Sequence, residues 1–179
     1  MVGLFFEVNP LDGHASSYFE LAAFLKPELE RSGGVLFADR YISVDRPGII
    51  LSHQRWEDEE SLIRWREHTQ HRAIQLAGRE KHFRDYRLRI GPAIDPSRAA
   101  SVVRCIWISY HDAEPVARGA GELYKSVYQE GKFLVLSERA PAEQDASADT
   151  WAFEITRDYT MYDRREAPQE YPPVMRRSP

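Results

Sequence analysis

The order in which hydrophobic periodicity changes over residues 3 to 90 is what most limits the folds open to this chain. Leu4, Phe5, Phe6 and Val8 make an apolar run that ends at Asn9-Pro10, where proline cannot donate to a strand ladder. Tyr18, Leu21, Ala22, Leu25 and Leu29 then recur at helical spacing, an apolar stripe that needs a core to face. Ser17-Tyr18-Phe19-Glu20 predicts a capping box at the start of this helix, Pro27 a kink, and Gly33-Gly34 its end. Residues 35 to 44 and 49 to 56 read as strands joined by Asp45-Arg46-Pro47-Gly48, a hairpin. Glu57-Asp58-Glu59-Glu60 sets negative charge where a helix N-terminus favours it, ahead of a second helical region ending near Ala77-Gly78. Residues 83 to 90 close the unit as a strand, with Tyr86, Leu88 and Ile90 on one face and Asp85, Arg87 and Arg89 on the other. This order, βαββαβ, is the ferredoxin-like α+β arrangement. Its two helices cover one sheet face, so the apolar residues of the other face need a second cover, either another chain or the rest of this one.

The unit spans residues 1–91, and a turn-rich linker over 92–100 leads to a second, smaller β-rich region over 101–165. There the pattern predicts a strand over 102 to 110, a short helical stretch within Pro115 to Tyr128, and strands over 133 to 138 and 151 to 162. A polar loop, Ala140 to Asp149, separates the last two, and residues 166–179 are a tail. Arg84-Asp85-Tyr86 recurs as Arg157-Asp158-Tyr159, which suggests a degenerate repeat lacking the second helical region. An insertion is the competing reading.

A formal charge of −4 mixed along the chain gives no basic stripe for nucleic acid or an anionic membrane. No stretch approaches 18 apolar residues and no basic segment precedes the apolar N-terminus, so a cytoplasmic location is expected. The single cysteine, Cys105, allows no internal disulfide and suits a reducing compartment. Nucleotide loops, GxSxG, HExxH and CxxC are all missing from the sequence.

Several segments together resemble the antibiotic biosynthesis monooxygenase family. They are Phe6-Glu7-Val8-Asn9-Pro10, residues 22 to 29, Pro47-Gly48, Trp56-Glu57-Asp58-Glu59-Glu60, Trp65-Arg66, residues 71 to 75, Gly78-Arg79 and Asp85-Tyr86-Arg87. Arg157-Asp158-Tyr159 and residues 164 to 168 are similar to the segment after the last strand in some members. The resemblance implies a dimeric α+β barrel in which two subunits pack sheet against sheet, hence a homodimer, and a pocket between helices and sheet. It does not imply one reaction, since members include oxygenases of aromatic phenols, quinol oxygenases and haem-degrading enzymes. Gln75 where the haem-degrading members place a ligand, and Phe6 where they have an asparagine, speak against haem.

The expected function is therefore a cofactor-independent monooxygenase of a small aromatic or quinol-like compound, the alternative being a non-catalytic ligand-binding or assembly module. Oxidation without a metal or flavin needs an apolar cavity, a base, and polar groups for the resulting anion. Candidate catalytic residues are His53, His71 and Tyr86, and candidate substrate-binding residues are Trp65, Arg72, Phe6, Phe24 and Tyr18. His68 and His71 lie three apart, as a metal pair would on one helix, but no third ligand accompanies them, so neither metal nor any other cofactor is expected. Glu7, a carboxylate in an apolar strand, is expected to be paired with Arg87 or Arg89.

Overall fold

The computed structural model describes residues 1–116, 119–141, 149–172 and 174. The first unit has the predicted order: β1 (Val2–Pro10), α1 (Ala15–Ser32), β2 (Val35–Ser43), β3 (Ile50–Trp56), α2 (Glu59–Glu67), α3 (Thr69–Ala77) and β4 (Phe83–Ile94), with a π-helical turn at Gly78–His82 before β4. The second helical region, expected as one piece, is two helices broken at His68, whose ψ of 128° leaves the helical range. α1 starts before the expected capping box and runs through Pro27, whereas α2 starts as expected, with the Asp58 carboxylate accepting from Ser61 N at 2.8 Å. β4 continues through Gly91-Pro92 to Ile94, so the connection begins three residues later than expected, at Asp95, which caps the short α4 (Pro96–Ala99). Gly91 is needed there because a Cβ would sit 1.7 Å from the Glu154 carbonyl oxygen.

Beyond α4 come β5 (Cys105–His111), β6 (Glu122–Ser126), β7 (Phe133–Ser137), β8 (Asp149–Glu154) and β9 (Arg157–Thr160). The helical stretch expected within Pro115 to Tyr128 is a strand, β6, and the expected last strand breaks in two at Ile155-Thr156. The central part of the expected polar loop and the end of the tail lie outside the described residues.

In the first unit β1 pairs with β3 and β4 while β2 pairs with β3; in the second β5 pairs with β7 and β8 while β6 pairs with β7. The second region thus has the strand order of the first, without its helices among the described residues. Antiparallel pairs β2–β6 and β4–β8 join the two sheets at both edges. All strands except β9 therefore close into one barrel, and β9 pairs beside β8 along β4. The repeated tripeptide is not part of this correspondence, because Arg157-Asp158-Tyr159 lies on β9 and the counterpart of β4 is β8.

Strand alternation gives the first sheet two buried faces. Phe5, Tyr41 and Leu51 point into the barrel against Ile106, Ile108, Tyr124, Leu134 and Phe153. Val2, Leu4, Trp56 and Ile90 point outward beneath Leu25, Leu29, Leu62 and Trp65 of the helices. The open face of the first sheet is thus covered by this chain's own second half. Among the described residues no helix is long and apolar enough to cross a membrane.

Candidate active site

A cavity of about 160 Å³ lies between the helices and the outward face of the first sheet. Phe6, Leu88 and Ile90 form its floor and Leu21, Leu25 and Ile74 its helical wall. Residues 164 to 171, which come after β9, pass over it and contribute Arg164, Gln169 and Tyr171. The expected tail thus straps the cavity of its own chain.

His71 of α3 lies at the cavity wall, stacked on the Trp65 ring at 4.4 Å and 16°. Its Nδ1 is 2.9 Å from the Trp65 carbonyl oxygen, and a carbonyl only accepts, so Nδ1 carries the proton and Nε2 the lone pair. Burial pushes its pKa down to about 4, against the carbonyl, which favours the charged form. At neutral pH it is an uncharged imidazole in a fixed tautomer. The Gln75 amide lies 3.4 Å from Nε2 and its oxygen accepts from Tyr171 Oη at 2.6 Å, which links the strap to the histidine.

Tyr86 of β4 sits at the same cavity, and its phenolic oxygen accepts from Arg79 Nη1 at 2.6 Å and Arg164 Nη1 at 2.8 Å. With both acceptor positions used, its O–H proton is left to donate. Arg79 is 3 % exposed; the π-helical turn carries it inward, where it also reaches the Met161 and Pro172 carbonyls at 3.4 Å. Arg40 of β2 lines the cavity too, with the Tyr18 and Tyr128 hydroxyls as its polar neighbours. Ser52 and Gln54 complete the polar lining from β3.

Of the residues expected from sequence, His71, Tyr86, Trp65, Phe6 and Tyr18 meet at this cavity. His53, Phe24 and Arg72 do not, and their placement is corrected. His53 alternates to the barrel side of β3, fully buried and stacked on Phe5 at 4.6 Å. Its Nδ1 donates to the Leu4 carbonyl at 3.1 Å and its Nε2 accepts from Tyr110 Oη at 2.8 Å, so both nitrogens are used. Burial pushes its pKa down to about 3. Phe24 is 60 % exposed on the outer side of α1, and Arg72 is exposed on the outer side of α3. Arg79 and Arg164 hold the place expected for Arg72. Neither stands out in the sequence as a site residue, because Arg79 falls in the charged run Gly78 to His82 and Arg164 in the tail, both of which read as solvated.

His68 does not share a helix with His71; it caps the break between α2 and α3 and stacks on Trp65 at 5.5 Å. His14 and His82 bring their Nδ1 atoms within 3.0 Å of each other. Among the described residues no three His, Cys, Asp or Glu side chains converge as a metal site would require. On the barrel side, Glu7 is bound by Arg89 at 2.5 Å, by Tyr124 Oη at 2.9 Å, and by Arg46. Burial raises its pKa, but Arg89, Arg46 and Tyr124 outweigh that and hold it below the ordinary carboxylate value.

Comparison with known proteins agrees with this picture. The family model for antibiotic biosynthesis monooxygenase matches residues 1–77. The chain is 30% identical, over 97% of its length and 100% of the relative's, to a jasmonate monooxygenase of Pyricularia oryzae. Two solved structures are more distant and carry no weight here. One, from Pseudomonas aeruginosa, has 13% identity and a TM-score of 0.47, covering 52% of this chain and 94% of that one. The other, a monooxygenase-like protein of Fusobacterium nucleatum, has 6% identity and a TM-score of 0.43, covering 88% and 93%. On the identity and coverage of the Pyricularia relative, this chain belongs to the antibiotic biosynthesis monooxygenase family.

Proposed function

We propose that the chain is a cofactor-independent monooxygenase that oxidises an acidic C–H group of a small, largely apolar compound, aromatic or quinol-like, in the cavity between helices and sheet. The observation that carries this reading is His71, a neutral imidazole with its Nδ1 proton fixed on a carbonyl and its Nε2 lone pair at the cavity, met only by the long 3.4 Å contact of the Gln75 amide, which a substrate proton can displace. For an activated methylene the overall change converts the methylene and one molecule of dioxygen into a ketone carbonyl and one molecule of water. The substrate supplies all four electrons, so no separate reductant is required. His71 takes the first proton, the substrate anion combines with oxygen, and the resulting hydroperoxide loses water as the second C–H proton leaves. The Gln75 amide and the Tyr86 hydroxyl are the donors placed to hold the oxygen-bearing intermediates. Trp65 supplies one wall and keeps His71 from rotating.

The single-chain barrel supports a working unit of one subunit, because the sheet face through which a partner would pack is occupied. Free Cys105 supports a cytoplasmic location. Oxygen uptake with anthrone- and quinol-type compounds tests the reading, alongside light scattering, where the mass of one chain, 20.8 kDa, is expected. Ligand binding without oxygen consumption across such a series would favour a binding module instead.

A further inference from the structure

The charges around the cavity do not balance. Four arginines line it, Arg40, Arg66, Arg79 and Arg164, and among the described residues only Arg66 has a carboxylate within salt-bridge distance, that of Glu67 at 3.2 Å. The other three face phenols and carbonyls instead: Tyr18 and Tyr128 for Arg40, Tyr86 and the Met161 and Pro172 carbonyls for Arg79, Tyr86 and the Gln169 carbonyl for Arg164. Among the described residues no Asp or Glu lines the cavity itself. Arg79 is almost fully buried, and Arg164 Nε is buried with no hydrogen-bond partner. On the opposite face of the same sheet Arg89, buried like Arg79, is instead paired with Glu7 and Glu138, and the half-exposed Arg46 and Arg87 are paired with Glu7 and Glu122 and with Asp158 and Glu138. Arg55, the arginine of that face without an ion pair among the described residues, lies over the rings of Phe37, Tyr110 and Trp151.

Two guanidinium groups held on one phenol oxygen repel each other, and withdrawing them from water without a counter-charge is costly. A transient substrate anion does not offset that cost, since it exists only during turnover. A permanently ionised group does. Guanidinium is matched by the two coplanar oxygens of a carboxylate, and the Tyr86 proton is a further donor beside the pair. Away from the arginines the lining is apolar or uncharged, with Ser52, Gln54, Gln75 and the neutral His71 among its polar members, so only one end of the ligand is charged.

We infer that the cavity takes a small apolar monocarboxylate, with its carboxylate seated between Arg79 and Arg164 beside Tyr86 and its apolar body against Phe6, Leu88 and Trp65. This rests on the cavity being the ligand site proposed above and adds the class of ligand. A cavity of about 160 Å³ holds a body of about one six-membered ring.

Calorimetric titration of the full chain at neutral pH with phenylacetate, and with phenylacetamide as its neutral isostere, provides the test. Phenylacetate is expected to bind at least tenfold more tightly. That preference should fall to threefold or less in Arg164→Gln, and also in Arg79→Gln if that variant keeps the wild-type circular dichroism. Inorganic phosphate at the same ionic strength should compete weakly, and strong competition would mean a general anion site. Equal or tighter binding of the amide to wild-type protein overturns the inference whether or not the variants fold. Oxygen uptake separates this outcome from failure of the enzyme reading. A carboxylate preference without turnover keeps the seat and removes the base, whereas turnover of neutral compounds without a carboxylate preference does the reverse.

Discussion

The two faces of β1, β3 and β4 are built from alternate residues of the same strands, yet they serve different ends. On the barrel face the carboxylate and the histidine are answered: Glu7 has Arg89, Arg46 and Tyr124, and His53 has the Leu4 carbonyl and Tyr110, while Arg55 lies over the rings of Phe37, Tyr110 and Trp151. On the helix face the His71 lone pair meets only the Gln75 amide, at 3.4 Å, beside a cavity, and Arg79 and Arg164 share a phenol in place of a carboxylate. The difference teaches that buried polar residues alone do not mark a site in this fold. What marks it is polar groups whose partners leave a valence or a charge over, since a satisfied network is a structural device and an unsatisfied one awaits a ligand.

The sharpest way to break this comparison is to remove the histidine from each face. His71→Ala is expected to lower turnover by roughly 10² to 10⁴, the effect of losing a general base, while His53→Phe should leave kcat within about threefold of wild type. Steady-state oxygen uptake decides, and an equal loss in both variants would mean that the faces are not chemically distinct. Next in size is stability on the barrel face. Glu7→Gln removes the buried counter-charge of Arg89 and leaves it only the exposed Glu138, and should cost about 3–5 kcal/mol in urea unfolding. A loss below about 1 kcal/mol would show that water reaches the cluster. Gly91→Ala forces a methyl group against the Glu154 carbonyl where the two halves join. About 1–3 kcal/mol should be lost as β4 and β8 part, and an unchanged Tm would refute the close approach.

Acid offers a gentler probe. His53 and His71 bind protons only near pH 3 and 4 when folded, but near the ordinary histidine value of 6.5 when unfolded. The unfolded chain therefore binds more protons below about pH 6.5. Their contribution to stability is complete above that pH and declines as pH falls toward the folded values, by up to about 1.4 kcal/mol per pH unit for each histidine. His53→Phe should flatten this slope in urea unfolding between pH 6.5 and 4.5, and an unaltered slope would place His53 in water. The smallest effect is expected from Arg164→Gln, within about 1 kcal/mol of wild type, because the cation removed has no ion pair to lose.

Much of the first unit is legible in the sequence because its signals are local. The apolar spacing from Tyr18 to Leu29, the turn at Asp45 to Gly48 and the alternation of Tyr86, Leu88 and Ile90 each follow from backbone geometry within a few residues. That Trp65, His71 and Tyr86 come together at the cavity follows from the same local signals. What is not legible depends on contacts between distant segments. His53 lies between Ser52 and Gln54, and only the closed barrel shows which face each of them takes. Arg79 reads as solvated until the turn at Gly78 to His82 and the strap over residues 164 to 171 enclose it. β6 reads as helical in sequence because the residues that make it a strand are its partners on β2 and β7, some 80 positions before and 10 after it. Gly91-Pro92 reads as a linker because a glycine required by a neighbouring strand's carbonyl looks, in sequence, like a glycine required by a turn.

The barrel's second half repeats the strand order of the first but carries no helices over its sheet among the described residues. Two identical subunits joined in this way would own a pair of equivalent chambers, and occupancy of one could alter the other. Here that arithmetic is different. Among the described residues the polypeptide offers one helix-roofed chamber, so saturation of that chamber should be hyperbolic with a Hill coefficient of one, and it should bind a single molecule. The unroofed half takes no part in it and is free to change its outer surface without disturbing the chemistry opposite.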